Sequence, residues 1–209
     1  KENIQIGVVE GVQGISWTEF TLEGVSNHAG TTPMNMRCDA GLVAAQISNY
    51  ARELAVEFGG RQVSTVGFMS FSPNLVNVVP NHVVFTVDLR NTDNDILLEA
   101  EKKLWAFAEQ AAAKEAVTLT RRSLARFDPV IFNDEIVNLV EETVKAEGFS
   151  YMRMPSGAGH DAQILADMCP AGMIFVPCEG GISHNIKEFT SPEDLERGAN
   201  ILLKVILKR

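Results

Sequence analysis

The spacing of apolar residues changes repeatedly between residues 15 and 125. Apolar and polar residues alternate where β-strands are expected, and apolar residues recur every three or four positions where helices are expected. The pattern predicts, in chain order, a strand at 15–24, a helix from Asp39 to Gly59-Gly60, strands at 63–72 and 82–90, a helix after Thr92-Asp93 and a strand at about 117–124. This order is the split βαβ arrangement, which can fold as a domain by itself.

A different pattern follows Phe127-Asp128-Pro129. It predicts a helix that Asp134 caps and Gly148 ends, then a Gly-rich loop before a short helix, and then an apolar strand at AGMIFVP of the kind buried on both faces. A last helix is expected with Ser191 as its cap and Pro192 at its first position. Because only one or two strands are expected here, the region is predicted to be an incomplete α/β domain.

Charge and composition narrow the possible partners. The chain of 209 residues has a formal net charge of -9 and no cluster of Lys and Arg, so nucleic acid is not an expected partner. It has no apolar run of about 18 residues and its start lacks the pattern of a signal peptide, so we expect a soluble, cytoplasmic protein with no membrane partner. The three cysteines, Cys38, Cys169 and Cys178, share no CxxC spacing and are expected to be reduced thiols.

Three of the four histidines lie in loops rich in small residues, where side chains can react. They are His28 in NHAGTTP, His160 in GAGHDA and His184 in GISHN, whereas His82 opens a predicted strand and is expected to be structural. Each loop histidine could equally be hydrogen-bonded within its turn. The sequence contains no HExxH, CxxC or GxSxG, so no local motif completes a metal or nucleophile site.

Three further features could bind an anionic ligand. Arg90 lies on the polar face of the strand at 82–90, where its guanidinium could bind a carboxylate bidentately or pair with Asp88. Asn77 could donate an amide hydrogen bond to a ligand or satisfy its own backbone. The loop at 156–162 offers consecutive backbone N–H groups before a helix, although a plain tight turn explains it as well.

Five short motifs together give the chain a specific resemblance. They are, in order, NHAGTTPM at 27–34, NVVP at 77–80, DLR at 88–90, PSGAGHDA at 155–162, and MIFVP followed by GGISH at 173–184. In this combination the chain resembles the amidase/hydantoinase/carbamoylase family, dinuclear-zinc hydrolases that include N-carbamoyl-L-amino-acid hydrolases and allantoate amidohydrolases. The resemblance covers nearly the whole chain, and it implies an α/β catalytic domain interrupted by a split βαβ lid that dimerises.

The resemblance also implies roles for individual residues. Residues 12–125 would be the lid, and residues 126–209, together with 1–11, the C-terminal part of the catalytic domain. His184 matches a metal ligand, and His28 matches a lid histidine that stabilises the oxyanion in the partner subunit. The residues that match substrate-binding positions are Asn77 and Arg90, which would grip a carboxylate, and Gly157, Ala158 and Gly159, whose backbone would hold substrate.

One departure from the family pattern limits these expectations. The family's other metal ligands and its general base precede the lid, and this sequence contains no match to them. The chain is therefore expected to be a C-terminal fragment that is inactive and metal-free by itself. The whole enzyme would hold two divalent ions, zinc or else manganese, cobalt or nickel.

The resemblance leaves the substrate open. The whole enzyme would cleave the ureido C–N bond of an N-carbamoyl-L-amino acid, or else act on allantoate. The presence of Gln163 after GAGHDA favours the allantoate alternative. A hypothesis of another class is a non-catalytic dimerisation or binding module, and a gene of about twice this length would favour the enzyme fragment.

Overall fold

The computed structural model describes residues 3–208, which form two compact units. One unit is Gly14–Pro129, and the other comprises the residues up to Gln13 and from Val130 onward. The strands are β1 (Ile6–Val12), β2 (Gly14–Glu23), β3 (Val63–Ser72), β4 (His82–Asn91), β5 (Thr118–Phe127), β6 (Val130–Ile131), β7 (Tyr151–Ser156) and β8 (Met173–Phe175). The α-helices are α1 (Ala40–Phe58), α2 (Asn94–Lys114), α3 (Asp134–Ala146), α4 (Asp161–Leu165) and α5 (Pro192–Leu207).

The unit Gly14–Pro129 is a four-stranded antiparallel sheet in the order β3-β4-β2-β5, with α1 and α2 packed on it. Its elements follow the predicted order of strand, helix, strand, strand, helix, strand, which confirms the split βαβ fold. The strand β4 alternates strictly, so that Val83, Phe85, Val87 and Leu89 are buried in the core with Phe20.

The two helices of this unit begin where side chains can satisfy their first backbone N–H groups. Asp39 accepts hydrogen bonds from the N–H groups of the second and third residues of α1, and Asp93 does the same for α2. The helix α1 ends before Gly59 and Gly60, whose φ angles are +61° and +56°. The predicted helix starts at Asp39 and Asp93 and the glycine stop are thus confirmed.

The other unit is built around β1. The strand β7 runs parallel to β1 along one edge, and β6 and β8 pair antiparallel with different parts of the other edge. The helices α3 and α5 cover this sheet, and the core contains Val8, Val140 and Ile201. The sheet has four strands instead of the expected one or two.

Two details of this unit differ from the sequence-based expectations. Asn133, not Asp134, caps α3, since its side-chain oxygen accepts from the N–H of Ile136 at 3.2 Å, while Asp134 is the first helical residue. The strand β8 is only half-buried, because it pairs at one edge of a small sheet. The described residues, 3–208, contain no helix that is both long and apolar enough to cross a membrane.

Glu141 is the most heavily paired carboxylate of this unit. It lies 2.7 Å from Lys145 and accepts hydrogen bonds from Tyr151 Oη at 2.8 Å and Arg153 Nε at 2.6 Å. These bonds, first that from Lys145 and then those from Tyr151 and Arg153, lower the pKa of Glu141 from 4.5 to about 2. The network joins α3 to β7.

Acid should therefore remove part of the stability of this unit. Because the pKa of Glu141 is lower in the folded state, its contribution is present above about pH 4.5 and is lost as the pH falls from there toward 2. We expect Glu141→Gln to reduce the free energy of unfolding by about 1–2 kcal/mol at pH 7 and by less at pH 3. Urea unfolding at the two pH values measures this, with Glu142→Gln, an exposed neighbour, as the control. Equal losses at both pH values would contradict the assignment.

Candidate functional site

The loop that carries His28 lies beside the segment that carries Asn77. His28 and Val78 form an antiparallel bridge, the N–H of Ala29 donates to the carbonyl of Asn77 at 2.9 Å, and Val79 N–H donates to the carbonyl of Asn27 at 2.8 Å. Two motifs separated by more than 40 residues in the sequence thus meet through their backbones. The structure brings His28 and Asn77 together at one end of the sheet.

The ring of His28 is hydrogen-bonded to its own turn through one nitrogen. Its Nδ1 accepts from the backbone N–H of Gly30 at 3.0 Å and of Thr31 at 3.3 Å. A ring nitrogen that accepts N–H groups carries no hydrogen, so the neutral ring must carry its hydrogen on Nε2. His28 is exposed, and its Nε2–H can donate to a ligand.

Asn77 lies beside His28 with its side chain in solvent. Its backbone carbonyl is bound by Ala29, but its side-chain amide has no hydrogen-bond partner within residues 3–208. The Asn77 side chain therefore does not hydrogen-bond to its own backbone, which was the alternative that the sequence left open. The amide is placed where it could donate to a ligand near His28.

Arg90 lies at the other end of the same sheet. Arg90 lies eight positions after His82 in β4, which corresponds to about 26 Å in an extended strand. His82 lies at the end of the sheet near the segment 77–79, whose backbone pairs with the His28 loop. The structure therefore does not bring Arg90 of one chain together with His28 or Asn77 of that chain. A single small molecule cannot touch both ends.

The guanidinium of Arg90 holds the carboxylate of Asp88 in a bidentate pair. Nε lies 3.1 and 3.0 Å from the two carboxylate oxygens, and Nη2 lies 2.7 Å from Oδ2. Both side chains are about a quarter exposed or less, at 21% and 26%. The pairing that the sequence suggested as the structural alternative is thus present, and a substrate carboxylate would have to share or replace Asp88.

The loop Gly157–Gly159 is shaped by the hydroxyl of Ser156, which is 1% exposed. Ser156 Oγ lies 2.8 Å from His160 Nε2, accepts from the N–H of Ala158 at 3.1 Å and contacts the Ala158 carbonyl at 3.0 Å. One donor and two acceptor positions account for all three contacts, so the hydroxyl is fully used. The Ala158 N–H accordingly points at Ser156 and not at a ligand.

His184 lies in the loop before α5 and has a φ of +55°, in the left-handed region that residues other than glycine seldom adopt. Its N–H donates to Glu188 Oε2 at 3.0 Å, and the residue is exposed. Within residues 3–208 there is no group of three or more His, Cys, Asp and Glu side chains that could hold a metal ion. The residues present do not fit a complete metal centre, since His184 is a single predicted ligand.

The whole chain matches one protein family. The family model described as peptidase family M20/M25/M40 matches residues 2–208. The chain belongs to this family. The M20 chain is 42% identical to the N-carbamoyl-L-amino-acid amidohydrolase of Rhizobium meliloti over 99% of its length, and 39% identical to the allantoate amidohydrolase of Escherichia coli K12 over 94%.

Solved structures of similar proteins have the same fold. The amidase of the hydantoinase/carbamoylase family from Burkholderia multivorans superposes with a TM-score of 0.92 at 38% identity, over 97% of this chain and 49% of that one. The chain spans about half the length of the curated relatives it matches, 50% for the Rhizobium protein and 48% for the Escherichia protein. The predicted resemblance and fold class are confirmed, and the half-length match agrees with the expectation of a fragment.

Sequence reasoning missed Arg37, whose guanidinium binds the carbonyls of the His28 turn. Its position five residues after Thr32 resembles that of any loop arginine, so no spacing rule could have selected it. Only the folded loop shows what Arg37 contacts.

Proposed function

We propose that the complete M20 protein hydrolyses the ureido C–N bond of an N-carbamoyl-L-amino acid, giving the amino acid, ammonia and carbon dioxide with the consumption of one water. The observation that carries the proposal is the 42% identity to an N-carbamoyl-L-amino-acid amidohydrolase across 99% of the chain. The geometry of His28 supports it, because hydrolysis of an amide-like carbon builds negative charge on oxygen and needs a positioned hydrogen-bond donor.

Allantoate hydrolysis is the second candidate. It is favoured by the 39% identity to an allantoate amidohydrolase over 197 residues. Gln163, which the sequence suggested as a pointer toward allantoate, is a buried residue with 9% exposure. The support for this alternative comes from the relatives.

Each candidate residue has a role in the proposal. His28 donates Nε2–H to the developing oxyanion, Asn77 of one chain and Arg90 of a second chain bind the substrate carboxylate, and the backbone of the loop 157–159 holds substrate. In the complete protein, His184 would contribute one ligand to a site for two divalent ions. When bound, such ions would polarise the substrate carbonyl and activate a water molecule. Most of the metal ligands would have to come from outside residues 3–208.

We further propose that residues 12–125 form a lid that pairs with a second copy. The distance of about 26 Å along β4 between the His28 end and Arg90 supports this, because one lid cannot bring both groups to one small substrate. Two paired chains could do so, each supplying the other's site with His28 and Asn77. A cytoplasmic location belongs to the same proposal, in keeping with Cys38, Cys169 and Cys178 as free thiols.

The test uses the complete enzyme, purified and reloaded with zinc or manganese. We expect kcat/KM to be at least about tenfold higher for N-carbamoyl-L-methionine than for allantoate, and hydrolysis of the D-enantiomer to be negligible. Sedimentation of the same preparation should show two chains per particle. A reversed preference would establish the allantoate alternative, and binding of either compound without turnover would mean a binding module.

A further inference from the structure

We propose that Arg37 is a positioning residue that holds the His28 turn in the shape that directs Nε2–H outward. This rests on the proposed function, in which His28 donates to the reacting oxygen. Arg37 would touch neither substrate nor metal, and would act only through the backbone of the turn.

The guanidinium of Arg37 binds two carbonyls that enclose the turn. Nη2 donates to the carbonyl of Ala29 at 2.6 Å, and Nη2 and Nε donate to the carbonyl of Thr32 at 3.0 and 3.2 Å. The planar fork of arginine presents several donors in a fixed geometry, so one side chain can join both carbonyls. Arg37 therefore closes the ends of the turn that follows His28.

The peptide after His28 is fixed on both sides. The N–H of Ala29 donates to the carbonyl of Asn77 at 2.9 Å, while the carbonyl of Ala29 accepts from Arg37. The carbonyl of His28 itself accepts from Thr32, through the hydroxyl at 2.8 Å and the N–H at 3.2 Å. These bonds leave the backbone at 28–32 little freedom.

The fixed backbone is what sets the state of the ring. The N–H groups of Gly30 and Thr31 point at Nδ1 only while the turn keeps its shape. The ring packs back on the same turn, since a Cβ placed on Gly30 would lie 3.3 Å from His28 Cε1. If the turn opened, the two N–H groups would leave Nδ1, and the hydrogen could sit on either ring nitrogen.

The surroundings of Arg37 favour this role over a surface ion pair. In the part of the chain that the structure describes, no carboxylate lies within 4.0 Å of its guanidinium, and its hydrogen bonds all go to the turn. Arg122 shows the contrast, because it is 69% exposed and pairs with Glu19 across the sheet. Within residues 3–208, the Arg37 guanidinium thus makes its hydrogen bonds to the turn that follows His28.

The kinetic test compares variants of the complete enzyme. Arg37→Met should lower kcat about tenfold with little change in KM, and Arg37→Lys, which keeps one donor group, should lose less. In a His28→Ala background, Arg37→Met should cause no further loss, because the group through which it acts is gone. Arg122→Met, which removes a guanidinium from the same unit, should leave kcat unchanged. An equal loss in the presence and absence of His28 would overturn the proposal.

A second measurement on the 209-residue chain does not depend on activity. Nitrogen-15 NMR of the His28 ring should show the hydrogen on Nε2 in the parent chain and a mixture of the two neutral forms in Arg37→Met. Arg37→Lys provides the same readout if the Met variant does not fold. An unchanged Nε2–H form in folded Arg37 variants would overturn the proposal even if the complete enzyme proved to have another substrate.

Discussion

Replacing His28 by alanine in the complete enzyme is expected to lower kcat by about 10²–10³-fold while KM changes little. The reason is that the Nε2–H, oriented by the bonds from Gly30 and Thr31 to Nδ1, would donate to charge that exists only in the transition state. Removal of one such donor typically costs about 2.7–4 kcal/mol. Steady-state kinetics at saturating substrate measures the effect directly.

His82→Ala is the matched control for this variant. His82 is also a histidine of the unit Gly14–Pro129, lies at the same end of the sheet, and its Nδ1 makes a weak contact of 4.0 Å with Glu23. It should retain nearly all activity. A His28→Ala enzyme with parental kcat, or a His82→Ala enzyme with an equal loss, would remove His28 from the proposed chemistry.

Replacing Arg90 by lysine in the complete enzyme is expected to lower kcat/KM by about 10- to 100-fold, an effect of about 1.5–3 kcal/mol. Lysine keeps the positive charge but loses the fork that holds a carboxylate bidentately, so the loss should fall mainly on substrate recognition. Steady-state kinetics with a carboxylate-bearing substrate and with its uncharged amide measures this. The amide should show little difference between the two enzymes.

The pair that Arg90 makes with Asp88 provides a competing expectation. If the pair only stabilises the sheet, Arg90→Lys should change activity little, because lysine keeps a positive charge beside Asp88 and the pair would have no part in substrate binding. Asp88→Asn separates the two cases, because it weakens the internal competitor and should tighten binding of the substrate carboxylate. If Arg90→Lys leaves kcat/KM unchanged, Arg90 has no place in the site.

The sequence alone determined the fold of the unit Gly14–Pro129 because its signals are local. The alternation in β4 and the capping carboxylates of Asp39 and Asp93 act over a few residues, and each agrees with its neighbours. Ser191 and Pro192 likewise mark the start of α5. The motifs at 27–34 and 77–80 also identified His28 and Asn77 as candidates, but not that their backbones pair.

The sheet of the other unit depended on tertiary structure. The strand β1 reads IGVVEGV, with no alternation to mark it, because both of its faces are buried and both edges are paired. Its partner β7 contains Arg153 and Pro155 and resembles a loop in sequence. A strand of this kind is specified by the partners that surround it, and those partners are far away in the chain.

The functional geometry, too, was decided only by the fold. The tautomer of His28, the bonds of Arg37 to two carbonyls and the saturation of Ser156 all depend on hydrogen-bond directions, which residue spacing does not encode. The separation of Arg90 from His28 depends on strand direction: β4 carries the chain away from the loop that pairs with Val78. Sequence could name His28 and Arg90, but only the paired backbone sets which of them one substrate can reach.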